Sequence, residues 1–227
     1  MDEITQIVGQ LVGAINRSIY GTATATPDVL EFCQTKWARK GKIIEALDTT
    51  PFRITSINYD EDITGQSIPS GTSFAAGEYL LPEPFYISGT KLATNREWTI
   101  ADSNLMKKTP IVWLLETIDE TRFGRGDSRE FETSLRMFFL DETDIKNYYT
   151  EDHRREVVLP MQKLVEEFIK VVNSDVRFKA VEDYRMRTFS RFGVEQENGM
   201  FQNILDANLS GVELTVTLTK FKTNCKC

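Results

Sequence analysis

One stripe of side chains limits the folds open to this chain more than any other feature. Between Arg154 and Val172, the residues Val157, Val158, Met161, Leu164, Val165, Phe168, Ile169 and Val172 fall on one face of a helix. Gln162, Lys163, Glu166, Glu167 and Lys170 occupy the other side. Such a helix needs an apolar surface to lie on, and the chain closes on one. Val212, Leu214, Val216 and Leu218 alternate with Glu213, Thr215, Thr217 and Thr219, the period-two pattern of a strand with one buried face and one threonine-rich face toward solvent. Pro160 lies within the stripe, so the regular helix either begins near Leu159 with proline in its first turn or kinks there.

The remaining elements follow from the same periodicities. Phe131, Thr133, Leu135, Met137 and Phe139 alternate with Glu132, Ser134 and Arg136 and predict a strand that Asp141 ends; Ile111 to Leu115 predicts a strand buried on both faces. Tyr184 to Phe192 reads as a strand with Arg185, Arg187 and Arg191 pointing one way, and Thr121 to Arg129 as a loop. Ile4, Ile7, Val8, Leu11, Ile15 and Ile19 predict an N-terminal amphipathic helix stopped by Gly21, then an extended connector from Thr22 to Pro27. From Pro27 to Leu47 we expect a short helix, a break near Gly41, and another short helix or strand. Between Thr49 and Lys107, prolines and glycines punctuate short β-prone runs, with strands expected at 52–59, 78–81, 85–88 and 96–100 and a polar reach from Asp60 to Ser73. The expectation is an α+β fold: a small antiparallel or mixed sheet packed against one long helix and an N-terminal helix. Residues 1–50 and 106–227 form its core, and residues 51–105 an inserted β-rich subdomain or arm.

Chemistry is thinly supported. Twenty-seven basic against thirty-four acidic side chains leave a net charge of −7, which argues against an overall positive surface gripping duplex nucleic acid. Three cysteines, Cys33, Cys225 and Cys227, do not make a disulfide framework, and with the single histidine, His153, they offer at most three thiols and one imidazole, two of the thiols a residue apart and the third distant, so no metal site is expected. His153 is read as part of a solvated, charged first helical turn. Neither Gly-x-Ser-x-Gly nor a phosphate-cradling loop is present, since Arg122 to Asp127 lacks the third glycine and the lysine. Arg125-Gly126-Asp127 and the sequon Asn208-Leu209-Ser210 match by spelling alone. The carboxylate runs Asp60-Glu61-Asp62 and Asp141-Glu142-x-Asp144 read as solvated loop charges. The stretch Arg177, Lys179, Arg185, Arg187 and Arg191, interleaved with Phe178, Tyr184, Phe189 and Phe192, suits a strand pairing with acidic neighbours, or with another subunit's acidic surface, better than nucleic acid. No apolar window reaches eighteen residues, and the Met1-Asp2-Glu3 start leads into an amphipathic pattern, so neither a membrane span nor a signal peptide is expected. Catalytic, cofactor-binding and metal-binding residues are expected to be none, and no cofactor is called for; a structural or binding protein remains.

Four stretches carry a resemblance: Lys40-Gly41-Lys42-Ile43-Ile44-Glu45-Ala46-Leu47; Lys108-Thr109-Pro110-Ile111-Val112-Trp113-Leu114; the helix from Leu159-Pro160-Met161 to Phe168-Ile169; and Leu205 to Leu214. In this order the chain resembles the tail terminator or tail-completion proteins of long-tailed bacteriophages. The resemblance implies an α/β subunit that closes into a ring, commonly a hexamer, at the head-proximal end of the tail. Such a ring caps the tail tube, joins it to neck or connector proteins and lets DNA pass through its lumen without specific binding. It also implies a virion location, with assembly in the host cytoplasm and no membrane partner. The stretch from Thr49 to Lys107 departs from the compact family pattern. The rival readings are another neck or head–tail connector ring such as a stopper or adaptor, a cytoplasmic binding module, and an enzyme using scattered carboxylates.

Overall fold

Helix α1 (Ile4–Gly13) buries Ile7, Val8, Leu11 and Val12. It is shorter than its apolar spacing predicts, because Asn16 accepts a hydrogen bond from the Ser18 backbone N–H at 2.9 Å and turns the chain out of the helix. Ile15 still packs in the helical core, whereas Ile19 belongs to the next element. The computed structural model describes residues 3–24, 26, 28–90, 109–115, 118–123, 130–144, 149–192, 194–197, 200–203 and 207–221.

Six strands then form a closed barrel: β1 (Ser18–Ala23), β2 (Val29–Glu31), β3 (Ile43–Ala46), β4 (Pro51–Asn58), β5 (Asp62–Ser67) and β6 (Gly77–Leu80), in the order β1-β2-β5-β4-β3-β6 and back to β1. Every ladder is antiparallel. Leu30, Phe32, Ile44, Phe52, Ile54, Ile63, Phe74 and Tyr79 fill it, with Phe52 and Phe74 stacked at 4.5 Å between ring centroids. Several expectations are corrected here. Thr22 and Ala23 belong to β1, Val29–Glu31 is a strand and not a helix, and β5 lies inside the polar Asp60 to Ser73 reach, while of the two alternatives after Gly41 the strand is found, at Ile43–Ala46. The physical reason is that a barrel this small needs few apolar residues per strand. In β5 the inward positions are Ile63, Gly65 and Ser67, and Gly65 is small because the Phe74 ring sits where its side chain would be. The barrel runs from Ser18 to Leu80, so a boundary at residue 51 falls between two of its paired strands.

The second sheet is open. It comprises β7 (Phe85–Gly89), β8 (Ile111–Leu115), β9 (Asp119–Phe123), β10 (Glu130–Glu142), β11 (Tyr184–Phe189) and β14 (Leu209–Phe221), while β12 (Val194–Glu197) and β13 (Met200–Asn203) form a separate hairpin. Its order is β11-β14-β10-β8-β7, with β9 continuing alongside β10 beyond β8. All pairs are antiparallel except β7 with β8, which makes the sheet mixed. Asp141 lies within β10 rather than ending it, and Thr121–Phe123 is strand rather than loop, held by pairing with Glu130–Glu132. The strand expected at 96–100 and the rest of the 121–129 loop lie outside the described residues.

The long helical segment has three parts: α2 (Thr150–His153), a π-helical turn (Arg154–Val158) and α3 (Leu159–Ser174). Proline explains the turn. Pro160 sits in the first turn of α3 and has no N–H to give the Glu156 carbonyl, and the Leu159 N–H reaches back five residues to Arg154. Val157, Met161, Val165, Phe168, Ile169 and Val172 cover one face of the sheet together with α1, against Leu135, Met137, Phe139, Val212, Leu214, Val216 and Leu218. On the opposite face, Trp113, Phe138 and Phe192 gather with Ile87, Ile111, Leu140 and Leu209. This is an α+β fold, and among the described residues no helix is long and apolar enough to cross a membrane.

Candidate functional site

The helix-covered face of the β10–β14 ladder turns polar at one end. Met137 opposes Leu214 and Phe139 opposes Val212, but the next same-face pair is Asp141 with Ser210. Groups from the long helix and the barrel converge on that pair. His153 reaches Ser210 with Nε2 at 2.8 Å from Oγ, so its ring is tied into the fold instead of solvated in the first helical turn. Burial pushes the imidazole below its ordinary pKa. A histidine on a serine hydroxyl is the arrangement that activates nucleophiles, but Ser210 is fully buried, which leaves its hydroxyl out of a substrate's reach. The contact holds α2 against β14.

Asp141 meets the barrel. Its side chain is 1% exposed and takes Arg39 Nη1 at 2.5 Å and Lys42 Nζ at 2.9 Å, while Lys42 also donates to Thr109 Oγ1 at 3.1 Å. Two cations therefore share one buried carboxylate. Desolvation draws the Lys42 ammonium below its ordinary pKa, and attraction to Asp141 opposes that shift. A second clasp lies beside it. Glu156, in the π-helical turn, accepts the Tyr59 hydroxyl at 2.8 Å on one oxygen and the Lys40 backbone N–H at 2.9 Å on the other, and the Arg155 guanidinium stands 4.8 Å above the Tyr59 ring. Burial and the Glu156 carboxylate raise the Tyr59 pKa. The extra residue of the π-helical turn presents Arg155 and Glu156 together toward the barrel.

The seam around these clasps holds an apolar cavity of about 70 Å³, lined by Trp37 and Ile44 of the barrel region and by Met161 and Leu164 of α3. It opens beside a groove of about 620 Å³ that carries both signs of charge: Arg17, Lys40 and Lys42 face Glu45, Glu83 and Glu142. Mixed charge of this kind does not concentrate phosphate. No group of His, Cys, Asp and Glu among the described residues could hold a metal ion. Cys33 is exposed, and Cys225 and Cys227 lie outside the described residues. Asp60 and Glu61 belong to the β4–β5 turn and Asp62 opens β5; Asp60 has a φ of 63° and its N–H donates to Thr35 Oγ1 at 2.7 Å.

The basic stretch is not brought together. Arg177 is forked onto Asp175, with Nη2 at 2.6 Å from Oδ2, and Phe178 and Phe192 are buried in different clusters. Arg185 and Arg187 alone of its cations stand on β11, opposite Thr215 and Glu213 on the outer face of the sheet. Five of the six β11 residues are exposed, including Tyr184 and Met186. Among the described residues β11 pairs only with β14, and β9, which starts Asp119-Glu120, pairs only with β10.

The Arg39–Asp141–Lys42 cluster and the Tyr59–Glu156 clasp escaped sequence reasoning. Arg39 and Asp141 are 102 residues apart, and the one local signal, two basic residues flanking Lys40-Gly41 before an apolar pair, names no partner. The chain matches no family model, no curated protein and no solved structure.

Proposed function

We propose that this protein is a non-catalytic ring subunit of a phage tail, a tail terminator or tail-completion protein that caps the tail tube and joins it to the neck. The observation that supports the reading is an open, mixed sheet with two different edges on a chain whose buried polar clusters, among the described residues, serve internal clasps. Chains that work by chemistry keep a reactive group at the mouth of a pocket; here Ser210 with His153 and Asp141 with Lys42 are spent inside the fold. A subunit that works by assembly presents two different complementary surfaces, and an open sheet has two different edges. In this reading the subunit belongs to the virion, forms a homo-oligomeric ring, contacts tail-tube and neck proteins, and lets DNA pass without holding it. The acidic balance of −7 suits a lumen that DNA must slide through.

The test is size-exclusion chromatography with light scattering, alone and in the presence of purified phage tail tubes, followed by negative-stain imaging. A closed ring, free or seated on one end of the tubes, is expected. A chain that stays monomeric up to high concentration and ignores tube ends overturns the proposal.

A further inference from the structure

Within that ring reading, we infer that neighbouring copies join by sheet extension, with the basic edge strand β11 of one copy hydrogen-bonding to the acidic edge strand β9 of the next. The partner on this edge is therefore a second copy of the same chain. Three observations converge on it.

The first is an edge open to pairing with a matched neighbour. Strands left at the rim of a sheet are normally blunted by proline, bulges or charged side chains, because their unpaired backbone groups template other chains. β11 is Tyr-Arg-Met-Arg-Thr-Phe, with no proline and no break in its register with β14, and its two arginines repel a basic neighbour but not an acidic one. Tyr184 and Met186 are 39% and 37% exposed, large apolar groups on a rim where isolated chains place polar ones.

The second is charge. β11 presents Arg185 and Arg187 on the outer face of the sheet, and β9 presents exposed Asp119 on that same face, opposite Ser134, with Glu120 exposed on the other face. These two edges belong to one sheet, so each copy carries both halves of the match and joins head to tail. β11 runs antiparallel to β14 and β9 runs antiparallel to β10, which is itself antiparallel to β14. In two copies of the same orientation, β11 and the neighbour's β9 therefore meet antiparallel, the stronger ladder.

The third is stagger. The middle of β11 stands opposite Glu213 and Leu214, whereas Thr121, the middle of β9, stands opposite Glu132 and through it Thr219. The edges are thus offset along the strands by five to six residues, about 18 Å at ~3.3 Å per residue. From one of these edges to the other, one copy contributes four strands, β9, β10, β14 and β11, or about 19 Å of width at ~4.8 Å each. A rise of about 18 Å over about 19 Å corresponds to a strand tilt of about 43°, inside the roughly 35–45° by which strands incline when a sheet closes on itself. An offset near zero would give upright strands that do not close in this way.

Charge reversal tests the inference. Arg185→Glu with Arg187→Glu makes both edges acidic, and Asp119→Lys with Glu120→Lys makes both basic; all four positions are exposed, so each variant should keep the wild-type far-ultraviolet circular dichroism. By sedimentation velocity each variant alone should assemble at least about tenfold more weakly than wild type. An equimolar mixture should recover assemblies containing both, since each reversed edge then meets its complement. Raising salt should weaken wild-type assembly. Variants that assemble like wild type, or a mixture that stays dissociated, overturn the β11–β9 pairing while the ring reading stands. If wild type is monomeric and binds tube ends through Arg185 and Arg187, the occupant of the edge is a tube protein and the inference is overturned. If wild type neither self-associates nor binds tubes, the ring reading itself fails.

Discussion

Replacing Asp141 by asparagine removes the buried carboxylate that bridges two cations of the barrel. The arginine and lysine side chains are 10% and 13% exposed and stay where they are, facing each other across an uncharged amide. Breaking a buried ion pair from one side costs about 3–5 kcal/mol. Asparagine keeps the volume and one acceptor oxygen, which places the expected loss near the lower end, about 3 kcal/mol. At about 2–4 °C per kcal/mol for a chain of this size, the thermal midpoint should drop by about 6–12 °C. The loss should also depend on pH. Lys42 already sits below its ordinary value of 10.5 in the fold, with Asp141 resisting the shift, so losing Asp141 lowers it further. Between that lowered value and 10.5 the unfolded chain binds more protons, and stability rises with pH through the window. The deficit should therefore be largest near neutrality and shrink toward pH 10. Urea unfolding followed by circular dichroism at pH 7 and pH 9.5 measures both effects. A triple variant, Arg39→Met, Lys42→Met and Asp141→Leu, should unfold within about 1 kcal/mol of wild type, because an apolar replacement carries no desolvation cost. A single variant that loses under 1 kcal/mol, or loses equally at both pH values, would refute the reasoning.

His153→Ala should cost about 1–3 kcal/mol by leaving the Ser210 hydroxyl buried without its partner. Because burial lowers the imidazole pKa in the fold, wild-type stability should fall as pH drops below 6.5, and this part of the acid dependence should vanish in the variant, as pH-series denaturation would reveal. Gly211→Ala should prevent soluble expression or lower the midpoint steeply: at a φ of 153° the added carbon would lie 2.0 Å from the Phe139 carbonyl oxygen, and a thermal melt near wild type would contradict this. Excising residues 18–80 across a two-glycine link, with Asp141→Asn to remove the orphaned charge, should leave a folded helix-and-sheet core. The entry and exit of the barrel are already joined, since the Leu81 N–H donates to the Arg17 carbonyl at 2.8 Å and Arg17 Nη1 donates to the Leu81 carbonyl at 3.0 Å. Cooperative unfolding of the excised chain checks this.

Where side-chain periodicity is strong, the sequence alone was enough. The 157–172 stripe and the 212–218 alternation meet face to face in one core, and Pro160 announces the point where regular α-helix begins. The barrel was obscured for a physical reason. Its strands are three to eight residues long, too short for a periodic signal, and positions such as Gly65 and Ser67 face inward without being apolar. Closure there is achieved by pairing β1 with β6, a contact between residues about sixty apart that no local pattern encodes. The seam was illegible for the same reason, since Asp141 on β10 and Arg39 next to β3 look like ordinary surface charges until the fold brings them together.

The contrast between the closed and the open sheet has a consequence for how such a molecule can change. In the barrel each strand has a hydrogen-bonded neighbour on both sides, so anything that docks there must recognise side chains, and a handful of surface substitutions can redirect it. Along the rim of the open sheet the docking groups are main-chain amides and carbonyls, which survive almost any substitution. Substitution can thus rewrite what the barrel presents, while the hydrogen-bonding groups along the rim stay the same.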